Sequence, residues 1–170
     1  MTEFKLILNS VNIKYKGLFE YDELIHQIIS WARQNGYEPK EKKAEETISA
    51  EGKNLTYEHR LTKKISTTLK LGIKIRTAIN KMTETKETGA IPKIFQKGEI
   101  DMYIDAWAIT NWKGKWRKTP LNFFLRAIVN KYIKKLPVEK EEEKAAADAK
   151  DLISSLKSFL NLYRYKTSRE

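Results

Sequence analysis

The sequence predicts an α+β fold, an antiparallel sheet of about five strands with a first helix after strand 1 and two C-terminal helices packed on one face. Three observations predict it. Apolar residues alternate at odd positions from Leu55 to Ile79, and at even positions from Ile100 to Ala108, the period of a strand with one buried face. Apolar residues recur at three and four within 20–37, 120–136 and 152–163, the period of an amphipathic helix. The resulting order, β–α–β–β–β–β–α–α, lays consecutive strands beside one another with helices on a single side. The chain is expected to form one domain over 1–170, with the sheet and two helices in 1–137 and a charged segment plus an amphipathic helix in 138–170.

Residues 3–19 open as a strand. Phe4, Leu6 and Leu8 share one parity and Val11, Ile13 and Tyr15 the other, so a bulge is expected near Asn9–Ser10. Tyr21, Leu24, Ile25, Ile28 and Ala32 then form a helical stripe, with Glu20, Asp22 and Glu23 at its positive end and Gly36 placed as its C-terminal cap. Residues 38–50 are charged and suit an edge strand, and "EGKN" at 51–54 suits a hairpin turn. An unbroken strand over 55–79 would be about 80 Å long, so a turn is expected around Lys63–Thr68. "TETKETGAIPK" reads as a loop, and 98–112 as the next strand. A helix is expected from Pro120, ended by Pro137, followed by "EKEEEKAAADAK" and the stripe Leu152, Ile153, Leu156, Phe159, Leu160 and Tyr163.

The 170 residues contain no cysteine, which removes disulfides, thiolate catalysis and cysteine-ligated zinc, and fits a reducing compartment. The N-terminus lacks the pattern of a secretory signal, and no apolar run reaches the roughly 18 residues of a membrane span. The expectation is a cytoplasmic protein without a membrane span. The net charge of +11 is unevenly placed. Residues 1–50 carry −1, residues 51–100 and 101–137 carry +6 each, and 138–170 are neutral. A regional excess of this kind points to an anionic partner.

Three segments, "YKGLFEYDELIHQIISWARQNGY", "WRKTPLNFFLRAIVNKYI" and "LISSLKSFLNLYRY", together about a third of the chain, resemble a family of small uncharacterised archaeal proteins. That family has no established activity, so the resemblance implies a source and an arrangement of elements. The element order is also similar to that of helix-grip proteins, in which a curved sheet wraps a long terminal helix around an apolar cavity.

Catalytic signals are weak. His26 and His59 are far apart, and neither sits in a nucleophile or carboxylate pattern; no phosphate loop or metal-ligand spacing occurs. No catalytic residue, metal site or cofactor is expected. Glu99, Asp101 and Asp105 share a strand face with Tyr103 and Trp107. Beside Lys70, Lys74 and Arg76 on the preceding strand, they read as cross-strand charge pairs rather than as a carboxylate dyad.

The stretch "NWKGKWRKTP" at 111–120 admits two readings. Thr119 and Pro120 suit a helix start and Gly114 a tight turn. Four cations gain nothing structurally at the positive end of a helix, whereas free amides and cations together suit an anion, and Trp116 could stack on a base. The candidate polyanion-binding set is Lys63, Lys64, Lys113, Lys115, Trp116, Arg117 and Lys118. The expected function is a non-enzymatic binding protein contacting RNA, DNA or another polyanion. Two alternatives stand beside it, a self-assembling scaffold, with homo-oligomer contacts through the C-terminal helix, and a helix-grip carrier of an apolar ligand.

Overall fold

The computed structural model describes residues 3–87, 93–110 and 135–167. They form β1 (Glu3–Phe19), α1 (Tyr21–Gln34), β2 (Glu38–Ser49), β3 (Gly52–Lys64), β4 (Leu69–Glu87), β5 (Lys93–Thr110) and α2 (Lys135–Thr167). The five strands make one antiparallel sheet in the order β1-β5-β4-β3-β2. The chain crosses once, through α1, from one edge strand to the other. It then returns by neighbouring pairings until β5 meets β1.

The period-two reading of the sheet holds in detail. Leu69, Leu71, Ile73, Ile75 and Ile79 on β4 face the same side as Ile100, Met102, Ile104, Ala106 and Ala108 on β5, and all are buried. Tyr57, His59 and Leu61 extend this inner face across β3. Ser66 makes the turn between β3 and β4, its Oγ accepting the N–H groups of Thr68 at 3.2 Å and Leu69 at 3.0 Å. A side-chain hydroxyl thus does what Gly or Pro usually does.

β1 departs from a simple strand. Its register against β5 slips twice, between Leu6 and Leu8 and between Leu8 and Val11, and Ser10 takes φ 48°. The two slips cancel in parity, so Phe4 and Leu6 face outward and Val11, Ile13 and Tyr15 inward as in a regular strand, while Leu8, between the slips, turns inward. The expected bulge is present, joined by a second one three residues earlier.

α1 starts without a side-chain cap; instead Gln96 Oε1 accepts the Tyr21 N–H at 2.8 Å, satisfying one of the orphan donors of a first turn. It ends in a Schellman closure. Tyr37 N–H donates to Ala32 O at 2.7 Å and Gly36 N–H to Arg33 O at 3.2 Å, with Gly36 at φ 77°, a value glycine adopts without strain.

α2 is 33 residues, about 50 Å long. It runs parallel to β1, with Glu142 paired to Lys5 and Leu160 beside Ile13 and Tyr15. Ala145, Ala149, Leu152, Ile153, Leu156, Phe159 and Leu160 are buried, in one core with α1 and the inner face of the sheet. The charged run is thus the first half of one continuous helix, and Pro137 sits near its start, where a proline lacks only a hydrogen bond the helix does not make. That corrects the expectation that Pro137 ends a helix; the body of the helix expected from Pro120 lies outside the described residues. β4 runs on to Glu87 against β5, so most of the expected 83–93 loop is strand. Thr83 and Thr85 supply β-branched residues there and the ladder continues. No helix among the described residues is long and apolar enough to cross a membrane.

Because the stripe of α2 packs on its own sheet, removing residues 151–170 strips five large apolar side chains from the core. The truncated chain is expected to lose cooperative thermal unfolding, since each such loss costs about 2–5 kcal/mol. A truncated monomer with an intact melting transition would contradict the packing.

Candidate nucleic-acid interface

Both described helices lie on the inner face, and the outer face of the sheet forms rows of side chains set by register. In one row Lys64 (β3), Lys70 (β4), Ile109 (β5) and Phe4 (β1) follow one another across the sheet. The next holds Glu38, Thr62, Gly72, Trp107 and Leu6; the third holds Lys40, Arg60, Lys74 and Asp105. Five cations and one carboxylate, Glu38, occupy these rows on the β2–β4 side, with aromatic and aliphatic groups and Asp105 on the β5–β1 side.

Trp107 is seated by Gly72. A Cβ on Gly72 would lie 2.4 Å from Trp107 Cε2, so the indole lies against bare backbone that no other residue offers. Phe4 stacks on Trp107 with ring centroids 6.1 Å apart and an interplanar angle of 25°. Phe4 is 64% exposed and Leu6 46% exposed, apolar area left in solvent beside a basic patch. Further along, Arg76 stands 5.7 Å from the centroid of Tyr103.

Like charges face one another here, Lys64 opposite Lys70 and Arg60 opposite Lys74, with Lys40 beyond Arg60. Such cross-strand pairs cost stability. Partial relief comes from Glu58 to Arg60 at 2.7 Å, Glu38 to Lys40 at 3.3 Å and Asp105 to Lys74 at 3.5 Å.

Asp105 fixes the margin of the patch. Its Oδ1 accepts the Ser10 N–H at 2.7 Å and the Ser10 hydroxyl at 3.2 Å, and its Oδ2 takes Arg76 at 3.2 Å. Burial alone would push its pKa up, but the Ser10 donors, Arg76 and Lys74 outweigh that and hold it below the ordinary value of 3.8. Asp105 therefore stitches the β1 bulge to β5 and holds two basic residues of β4. Glu99 bonds to Lys16 on β1 at 2.9 Å, and Asp101 to Asn12. The acid row is thus a set of cross-strand pairs, as expected, although two of its three members look to β1 rather than to β4.

The sequence-predicted site residues divide. Lys64 belongs to the outer face. Lys63 does not: it points inward, donates to Asn35 O at 2.8 Å at the end of α1, lies 4.0 Å from Asp148 and stands 5.2 Å from the centroid of Tyr37. Its parity on β3 matches the buried Leu61, which sets it apart from the outer-face cations of the candidate set. Lys113, Lys115, Trp116, Arg117 and Lys118 lie outside the described residues. Thr110, the last described residue before them, pairs with Leu69 and Glu3 at the same corner of the sheet. Phe4, Arg60, Lys70, Lys74 and Trp107 escaped the sequence reading as a group. A signal for them existed, because Lys70, Gly72 and Lys74 alternate with buried residues and Trp107 has the exposed parity of its strand.

His26 is exposed, 3.3 Å from Ser30, and His59 is buried. Among the described residues no group of three His, Cys, Asp or Glu could hold a metal ion. No family model matches the chain, and no curated protein and no solved structure is significantly similar to it.

Two outcomes test this geometry. Gly72→Ala should displace the indole and shift Trp107 fluorescence to the red, at a cost of about 1–3 kcal/mol; an unchanged spectrum would contradict the seating. Asp105→Asn should destabilise by about 1–3 kcal/mol at neutral pH. A carboxyl with a lowered folded pKa contributes fully above its unfolded value and loses that contribution as pH falls through the folded one. Wild type and variant should therefore converge in urea-unfolding free energy as pH falls below 3.8.

Proposed function

We propose that the protein is a non-enzymatic binder of single-stranded nucleic acid, with the outer sheet face as its contact surface. The observation that carries this reading is the juxtaposition of Trp107, laid on Gly72 with exposed Phe4 stacked on it, and the cations Lys40, Arg60, Lys64, Lys70 and Lys74 in the same three rows. Aromatic planes accept any base, and a basic strip beside them follows the backbone. Like-charged neighbours that cost folding energy gain a purpose when phosphates bind between them.

The net charge of +11 supplies long-range attraction. Lys113, Lys115, Trp116, Arg117 and Lys118 follow Thr110 by three to eight residues in the sequence and belong to the same polyanion-binding set in this reading. A carrier of apolar ligands is less well supported: the described grooves, about 470 Å³ and 220 Å³, are open and lined by Lys, Asn, Asp and Glu as much as by Tyr, Ile and Leu.

The test is binding of a short fluorescent oligouridylate over a series of salt concentrations. Lys64→Gln with Lys70→Gln should reduce the slope of log affinity against log salt by about 1. Phe4→Ala should weaken binding about tenfold through lost stacking, worth about 1–3 kcal/mol. Changing Lys113, Lys115, Arg117 and Lys118 together to Gln should flatten the slope further. Binding that keeps its affinity and slope in all three variants would overturn the assignment.

A further inference from the structure

The outer face carries a second feature beyond its basic rows. Towards the other end of β5, where Glu99 lies about 26 Å along the strand from Trp107, there is a groove of about 470 Å³. Its walls are Lys14 and Lys16 on β1, Glu99 and Asp101 on β5, and Asn80 on β4, all of outer-face parity. Tyr15 and Ile100 also border it, but their side chains are buried in the core, so they offer main chain. The volume falls within the roughly 300–1,000 Å³ of small-ligand sites, and the side chains around it are polar.

Asn80 and Lys16 are the direct cross-strand partners of Glu99, one on each side. Directly opposite residues have Cβ atoms about 4.5–5.5 Å apart, so a carboxamide, a carboxylate and an ammonium stand side by side. Lys16 Nζ bonds Glu99 Oε1 at 2.9 Å. That bond and the lysine's charge hold the Glu99 carboxyl below its ordinary pKa of 4.5, so it is an acceptor at neutral pH. A carboxylate has about four lone-pair sites, and Lys16 takes one of them. Asp101 is more fully engaged, its Oδ1 accepting Asn12 Nδ2 and its Oδ2 the Tyr103 hydroxyl at 3.4 Å.

Two carboxylates repel a phosphate. A strand lying along this face therefore places a base in the groove and its phosphates beside Lys14 and Lys16. The bases differ in what they offer a carboxylate standing next to an amide. Guanine presents two adjacent donors, N1–H and the N2 amino group, beside the O6 acceptor. Glu99 supplies two acceptors and the Asn80 amide a donor, in the matching order. Adenine and cytosine offer one amino donor beside a ring acceptor, and the single N–H of uracil is flanked by two carbonyls. In each of those pairings the carboxylate meets a lone pair. Resting on the single-strand reading of the outer face, we infer that this groove is a guanine-selective base site, in which Glu99 accepts the N1 and N2 donors and Asn80 donates to O6.

The test compares fluorescent oligouridylates of about ten nucleotides that carry one central guanosine, inosine, adenosine or cytidine, or no replacement. The guanosine oligonucleotide should bind roughly tenfold more tightly than plain oligouridylate, the size of one bidentate base contact. Inosine, which lacks only the N2 amino group, should lose severalfold of that gain. Adenosine, which stacks as a purine but offers the wrong edge, should gain little. Glu99→Gln should abolish the guanosine preference while leaving oligouridylate affinity unchanged or higher, since a negative charge is removed. Its melting temperature should barely move, because an exposed ion pair contributes little to folding. Asn80→Ala should reduce the preference severalfold. Equal affinity for the guanosine, inosine and adenosine oligonucleotides, or a guanosine preference that survives Glu99→Gln, would overturn the guanine site and leave the single-strand reading standing. Failure of every oligonucleotide to bind would overturn both.

Discussion

The whole structure depends on the burial of one face of a five-stranded sheet. β4 and β5 are central strands, and their inward residues form an apolar surface that α1 and α2 must cover together. At about 25 cal/mol per Å² of apolar area buried, this term outweighs every ion pair described. It also fixes register, since a slip of one residue on β4 would bring Lys70, Lys74 and Arg76 into the core. The outer face is what remains once that requirement is met, and its composition is free to serve another purpose.

That freedom is visible in two departures from good folding practice. Like charges stand opposite one another at Lys64–Lys70 and Arg60–Lys74, and Phe4 is left in solvent on an edge strand. The other edge is defended as edges usually are, by the alternating charges and Pro39 of β2. The two slips in β1 add one residue each, so Phe4 and Leu6 stay outside and Val11, Ile13 and Tyr15 inside as in a regular strand. Leu8 between them is turned to the core, and Asp105 holds the second slip in place.

Much of the fold was legible because its signal is periodic. The α+β class, the first helix with its Gly36 closure, the β3–β4 turn and the inward rows of β4 and β5 all follow from apolar spacing. The β1 bulge near Ser10 was legible as a change of parity, but the slip at Leu6 was not, since Ile7 and Leu8 are both apolar and either fits the core. β4 beyond Met82 was lost because its Thr, Glu and Lys residues form an exposed extension with no buried face to mark it. The candidate site was legible only in part. Composition pointed to the basic middle of the chain, whereas the pairing of Gly72 with Trp107 is a long-range register that no local window contains. Lys63 was misjudged for the opposite reason. A charged residue at a buried parity reads as surface until its partners, Asn35, Tyr37 and Asp148, are brought to it by two helices.

The measurement that bears most directly on the outer-face account is backbone amide NMR during titration with a short single-stranded oligonucleotide. The account predicts shift changes concentrated at Phe4, Leu6, Arg60, Lys70, Gly72, Lys74 and Trp107, with the buried α2 residues from Leu152 to Leu160 unmoved. Changes confined to the helical side, or no changes at all, would contradict it.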